Sequence, residues 1–96
     1  MPTFVILGNL TSDAVEKLSE EGKRQKNAMD LAKKYGCDVK ALYYTMGKYD
    51  WVAIVDAPDN ETAMKALFEL AAGGATRTRT MLAFPAEDVA KMTAEL

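Results

Sequence analysis

The segment DVKALYYTMGKYDWVAIVD, residues 38–56, decides the fold. Asp38 to Met46 and Tyr49 to Asp56 are rich in β-branched and aromatic residues, and Gly47-Lys48 between them has the length of a tight hairpin turn. Working towards the N-terminus, a long polar stretch of helical character comes first, and before it the apolar, β-branched strand Thr3 to Leu10. Towards the C-terminus, Pro58 with Asp59 or Asn60 opens a second helix, with the apolar stripe Ala63, Met64, Leu67, Phe68, Leu70 and Ala71. Gly73-Gly74 stops it. Thr76 to Phe84 then alternates threonine with Arg77 and Arg79, a strand pattern, and after Pro85 a short amphipathic helix carries Val89, Met92 and Leu96. The order is β-α-β-β-α-β plus a terminal helix.

The first helix is the least regular element. Thr11-Ser-Asp13 supplies N-cap chemistry, with Glu16 three residues after Asp13, and Gly36 marks the far end. Its apolar positions are Val15, Leu18, Met29, Ala32 and Tyr35, separated by the polar run Ser19 to Asn27 with Gly22 inside it. One unbroken helix would span roughly 36 Å against roughly 27 Å for the first strand. An overhang, a kink or two helical pieces meeting near Gly22 is therefore expected. The charge run reads as a solvated face, with Glu20 and Arg24 at i,i+4 spacing.

Right-handed β-α-β crossovers interleave such halves into an α+β, ferredoxin-like domain: a four-stranded antiparallel sheet with both helices on one face. Residues 1–96 are expected to form that single domain. The opposite face of the sheet is left bare.

A two-residue turn places Lys40, Leu42, Tyr44, Met46, Tyr49, Trp51, Ala53 and Val55 on one face of the hairpin, because cross-strand partners share a face. Val39, Ala41, Tyr43, Thr45, Asp50, Val52 and Ile54 fall on the other. The second set is smaller and more β-branched, which suits packing under helices. The first, with its large amphipathic rings, is expected on the bare side, buried against a second subunit. If the paired sheets do not close completely, they leave a cavity lined by Tyr44, Met46, Tyr49 and Trp51, with Lys40 or an arginine as polar anchor. A longer loop with a bulge would shift the register and mix the two sets. Arg77 and Arg79 share one face of the last strand and suit a carboxylate or phosphate; ion pairing with Asp50 or Asp56 is the plainer reading.

Composition excludes several classes of chemistry. There is no histidine and one cysteine, Cys37, so histidine-based zinc sets, an internal disulfide and Ser-His-Asp or Cys-His catalysis have no residues to use. Cys37, with no nearby histidine, reads as structural, and no metal or cofactor site is expected. The formal net charge of −2 and a pI near 5.1 argue against nonspecific nucleic-acid binding. No secretory leader pattern or bilayer-length apolar run is present, so the expected location is cytoplasmic.

The hairpin also carries a family resemblance. Gly47-Lys-Tyr-Asp50 followed by Trp51 to Val55, the Ala57-Pro-Asp59 junction, Arg77-Thr-Arg-Thr80 with Ala83-Phe84, Leu42-Tyr-Tyr-Thr45 and the polar first helix with Arg24 together resemble the GYD-domain family. That family is grouped with the dimeric α/β-barrel superfamily. The resemblance implies a ferredoxin-like subunit that pairs sheet to sheet. It implies no activity, and for Tyr49 and Asp50 only a family motif.

The resulting expectation is an oligomeric ligand-binding or accessory module with a cavity between paired sheets, itself its own partner and able to take a small molecule. The alternative is a cofactor-independent oxygenase or isomerase acting on a small planar or acidic substrate, with Tyr44, Tyr49 or Asp50 handling a proton. A tautomerase-like role for Pro2 with Arg77 or Arg79 is a weaker rival. RNA recognition fails on chemistry: Gly47 stands where a phosphate-binding base is needed, and Ile6 where a stacking ring is needed.

Overall fold

A computed structural model describes residues 1–96. Strand β1 (Thr3–Leu10) lies in the interior of an antiparallel sheet between β3 (Trp51–Asp56) and β4 (Thr76–Ala83), and β2 (Asp38–Tyr44) forms the far edge. The order β2-β3-β1-β4 is the ferredoxin-like α+β arrangement expected from the sequence. Helices α2 (Glu21–Lys34) and α3 (Asn60–Ala72) cross one face.

The long first helix is divided. Helix α1 (Ser12–Glu16) is capped by the Thr11 hydroxyl, which accepts from Ala14 N, and ends at Lys17 with φ −126°. A single 3₁₀ turn over Leu18–Glu20 leads into α2. The division falls a few residues before Gly22, which sits in the first turn of α2. Arg24 closes the break: its guanidinium donates to Ala14 O and Lys17 O (both 3.1 Å) and to Glu21 Oε1 (2.8 Å). The charge run is therefore more than a solvated face, because Arg24 adds a second hydrogen bond to Ala14 O and Lys17 O, which already accept from Lys17 N and Glu20 N, and so ties the two sides of the break together. Its contact with Glu20 is long, at 3.9 Å.

Helix ends follow their local chemistry. At the end of α2, Gly36 takes φ +68°, and Cys37 N donates back to Ala32 O (2.8 Å), the left-handed stop that glycine permits. Asp59 caps α3 by accepting from Thr62 N (2.7 Å). Helix α4 (Ala86–Thr93) follows Pro85, and every residue from Phe84 onward is exposed. No helix is long and apolar enough to cross a membrane.

The face parity expected from the hairpin is reversed. Gly8 pairs with Trp51, Ile6 with Ala53 and Phe4 with Val55, so these side chains share a face. That face lies under the helices: Trp51 and Ala53 are buried, and Tyr44 reaches Glu21 of α2. Tyr44 still pairs with Trp51 and Leu42 with Ala53, as a register continuing through the turn requires. The turn itself is longer than a two-residue hairpin, with the strands ending at Tyr44 and Trp51. Small β-branched residues, Val5, Val52 and Ile54, occupy the bare side instead. The physical reason is volume. A sheet and a helix layer set about 10 Å apart must be bridged by large rings when the helices present mostly alanine.

A bulge between Val39 and Ala41 leaves Lys40 without a cross-strand partner. Its ammonium sits 2.8 Å from Asp38 and 3.8 Å from Asp56, at the margin of the sheet. The core is thin, with 8 of 96 residues buried, centred on Phe4, Ala57 and Ala63 with Ile6 and Cys37 against them. The apolar residues assigned to helix stripes divide accordingly: Ala63, Leu67 and Leu70 face inward, while Val15, Leu18, Met64 and Phe68 are exposed.

Candidate functional site

The bare face carries the first candidate surface. Reading across the register, Tyr43 pairs with Val52, Val52 with Leu7, Leu7 with Arg79, Ile54 with Val5 and Val5 with Met81. Arg79 apart, these side chains form one apolar patch across four strands. Tyr43 is 67% exposed, Met81 50% and Ile54 39%, too much large apolar surface in one place for ordinary solvent contact.

Three of the eight residues singled out from sequence gather at one end of this patch. Tyr49, Arg77 and Arg79 line a shallow depression with Leu7, Asn9 and Thr78. Neither arginine forms an ion pair, so the expected pairing with Asp50 or Asp56 is absent. Arg77 donates to its neighbour's carbonyl, Thr76 O, at 3.1 Å. Lys48 Nζ lies 5.7 Å from the centre of the Tyr49 ring, within cation–π range. The Asn9 carboxamide, oriented to satisfy both groups, donates to Lys48 O at 2.9 Å and tethers the turn.

The other five are placed elsewhere. Asp50 Oδ2 accepts from Leu10 N at 2.7 Å, and Asp50 N donates to Gly8 O, so the motif aspartate joins the turn to the end of β1. Lys40 is occupied by Asp38 and Asp56. Met46 is fully exposed in the turn. Tyr44 and Trp51, expected to line a cavity between paired sheets, are on the opposite side beneath the helices. The cavity of Tyr44, Met46, Tyr49 and Trp51 is thus not assembled, because Tyr49 and Trp51 face opposite ways.

Trp51 has its own setting. Its indole lies flat across Gly8, so close that a methyl group on Gly8 would fall 2.0 Å from Cε2. Nε1 donates to the Thr76 hydroxyl (3.1 Å), which donates in turn to Asn9 O (3.1 Å). A glycine inside an apolar strand was the signal in the sequence for this approach.

The second surface is a recess beneath the helices, open on one side. Between the sheet and helices α2 and α3 lies a cavity of about 320 Å³, walled mostly by apolar side chains including Ile6, Leu42, Trp51 and Leu67. At one end, Glu21 accepts from Arg24 and from the Tyr44 hydroxyl. Burial first, then the Glu21 hydrogen bond, holds the Tyr44 phenol above its ordinary range, with Gln25 and Arg24 acting in the opposite sense. Cys37 also lines this space, and burial raises its thiol.

Comparison with known proteins fits the hairpin motif. The family model described as GYD domain matches residues 4–93. The chain belongs to the GYD-domain family. A curated relative, the "Glutamine synthetase and cystathionine beta-lyase binding protein" of Thermus thermophilus, is 38% identical over 90 residues, covering 93% of this chain and 95% of that one. Among solved structures, TTHA0845, also from Thermus thermophilus, superimposes with a TM-score of 0.57 at 27% identity, covering 90% of this chain and 96% of that one. The structure of FFRP-DM1 gives a TM-score of 0.62 at 20% identity, with 88% and 100% covered, a likeness of fold. In this GYD-domain protein the Gly47-to-Asp50 motif is thus a structural join, and only Tyr49 of it faces the candidate surface.

Proposed function

We propose that this GYD-domain protein is an accessory binding module that works as a homodimer, pairing through the bare face of its sheet and presenting the paired assembly to other proteins. The observation that carries this reading is the continuous apolar patch of Tyr43, Val52, Ile54, Val5, Leu7 and Met81, on a face that no helix of the chain covers. Burying such a patch against its own copy removes apolar surface from water at about 25 cal/mol per Å², the main source of association energy for an interface of this kind. The relative's name, that of a protein that binds two enzymes, supports the protein-partner half of the reading. Tyr49, Arg77 and Arg79 then sit at the margin of the paired sheets. There, two unpaired guanidinium groups suit an acidic side chain of a partner or a small carboxylate ligand.

Light scattering on the eluting protein tests the pairing. A species of twice 10.5 kDa is expected at micromolar concentration. Ile54→Lys, on the bare face, should convert it to the single chain while leaving the far-ultraviolet circular dichroism spectrum unchanged. A wild-type protein that elutes only at 10.5 kDa overturns the reading.

A further inference from the structure

The cavity between sheet and helices lies on the far side of the sheet from the pairing surface, and nothing in the function proposed above uses it. Its origin is legible residue by residue. The positions that α2 and α3 turn towards the sheet are Ala28, Ala32, Ala63 and Ala66 among a few leucines, and the strand beneath supplies Ala53. Alanine cannot bridge the spacing of a helix layer on a sheet, so space remains even though Trp51 and Leu42 reach into it. Its volume of about 320 Å³ is roughly twice the ~150 Å³ of an engineered apolar cavity that takes benzene. Two fused aromatic rings are the matching size.

Besides a polar cluster at one end, the wall includes Asn27, Thr76, Thr80 and Glu69, the last already accepting from Lys34 and Tyr35. The Trp51 indole N–H is already engaged by Thr76, so the interior offers no free donor there. Glu21, Arg24, Gln25 and Tyr44 cluster where α2 meets β2, and Tyr44 is 44% exposed, which makes this end the mouth. Arg24 is the only basic residue in the lining, and its guanidinium is committed to Ala14 O, Lys17 O and Glu21. What the mouth presents to a guest is therefore the remaining lone pairs of the Glu21 carboxylate, whose oxygens already accept from Arg24 and Tyr44, beside a Gln25 carboxamide that can donate as well as accept. An anionic head would face Glu21 without a free cation to offset it.

We infer that this cavity is a binding site for a neutral, two-ring aromatic molecule carrying a hydroxyl or N–H group, held with its rings against Trp51 and its donor at Glu21. Trp51 is the only tryptophan, so its indole N–H gives a single resonance that reports directly on the cavity wall.

The test is a nuclear magnetic resonance titration of the 96-residue protein with 2-naphthol, following that resonance, with naphthalene-2-sulfonate as the anionic control. A saturable shift with 2-naphthol is expected, with at least tenfold weaker binding of the sulfonate. Ala66→Leu, which fills the space, should weaken 2-naphthol binding at least tenfold and raise the melting temperature; Ala28→Leu repeats the measurement from the other helix should the first variant fail to fold. A Trp51 resonance that does not move overturns the inference, as does a leucine variant that folds and binds as well as the native chain. Equal binding of the sulfonate, read at the same resonance, would show that the mouth does not select against a negative charge and refute the assignment too. The pairing proposed above is read by mass, so either idea can fail without the other.

Discussion

Gly8→Ala is the sharpest probe of how this chain is packed. The added methyl would lie 2.0 Å from Cε2, 2.3 Å from Cζ2 and 2.4 Å from Nε1 of Trp51, overlaps that no shift of a few tenths of an ångström relieves. The indole must rotate away. Doing so breaks its hydrogen bond to Thr76, worth about 1 kcal/mol, and repacks the largest side chain in the core, which costs about 1–3 kcal/mol more. Against this, alanine is itself favoured over glycine in a strand by roughly 0.5–1 kcal/mol. The expected net loss is about 1–3.5 kcal/mol, or roughly 5–25 °C in melting temperature for a chain of this length. Urea unfolding followed by circular dichroism measures it. A Trp51→Leu background removes the ring that collides, so there Gly8→Ala should be neutral or slightly stabilising. The resulting coupling is at least about 1 kcal/mol. Costs that add within about 0.5 kcal/mol would show that the ring does not lie over Gly8, and the reversed face assignment would go with it.

Asp50→Ala removes the acceptor for Leu10 N and should cost about 1–3 kcal/mol by urea unfolding, whereas Asp50→Asn keeps an oxygen in place and should cost less than about 1 kcal/mol. Burial raises the Cys37 thiol, so the unfolded chain loses that proton first as pH rises; stability should decline above about pH 9, and Cys37→Ser should flatten that decline. Iodoacetamide should alkylate Cys37 in the native protein more slowly than in the urea-unfolded chain at every pH up to that range. Deleting residues 85–96 removes only exposed side chains and should leave the melting temperature unchanged; a fall of more than a few degrees would show that α4 packs on the rest of the chain.

Element order, the antiparallel hairpin, the cap at Asp59 and the stop at Gly74 were all legible, because each rests on chemistry within a few residues. Length alone called for an overhang, a kink or two helical pieces near Gly22; the division is the one of these that occurs, and it lies earlier, at Lys17. Parity was not. Which side of a hairpin meets the helices depends on what those helices can fill, and alanine at positions 28, 53, 63 and 66 calls for rings beneath it. Amphipathic rings suit an interface and a sparse core equally well, and a hairpin considered alone does not separate the two. Gly8 could have done so. A glycine amid Phe4, Val5, Ile6 and Leu7 marks a close approach, and Trp51 is the one side chain large enough to make it on that face. The alternation on β4 could also have helped, since Arg77 and Arg79 must lie on the side without helices.

The two outer edges of the sheet differ. On β2 the pairing is interrupted by the bulge at Lys40, flanked by Asp38, whereas β4 runs in regular register with β1 from Thr76 to Ala83 and is uncharged beyond Arg79. A foreign strand adds readily to a regular, uncharged edge and poorly to a bulged, charged one. Were two copies to join β4 to β4, both outward edges of the eight-stranded product would be bulged. Strand addition would then end after one step, and stacking into a fibre would have no edge from which to grow.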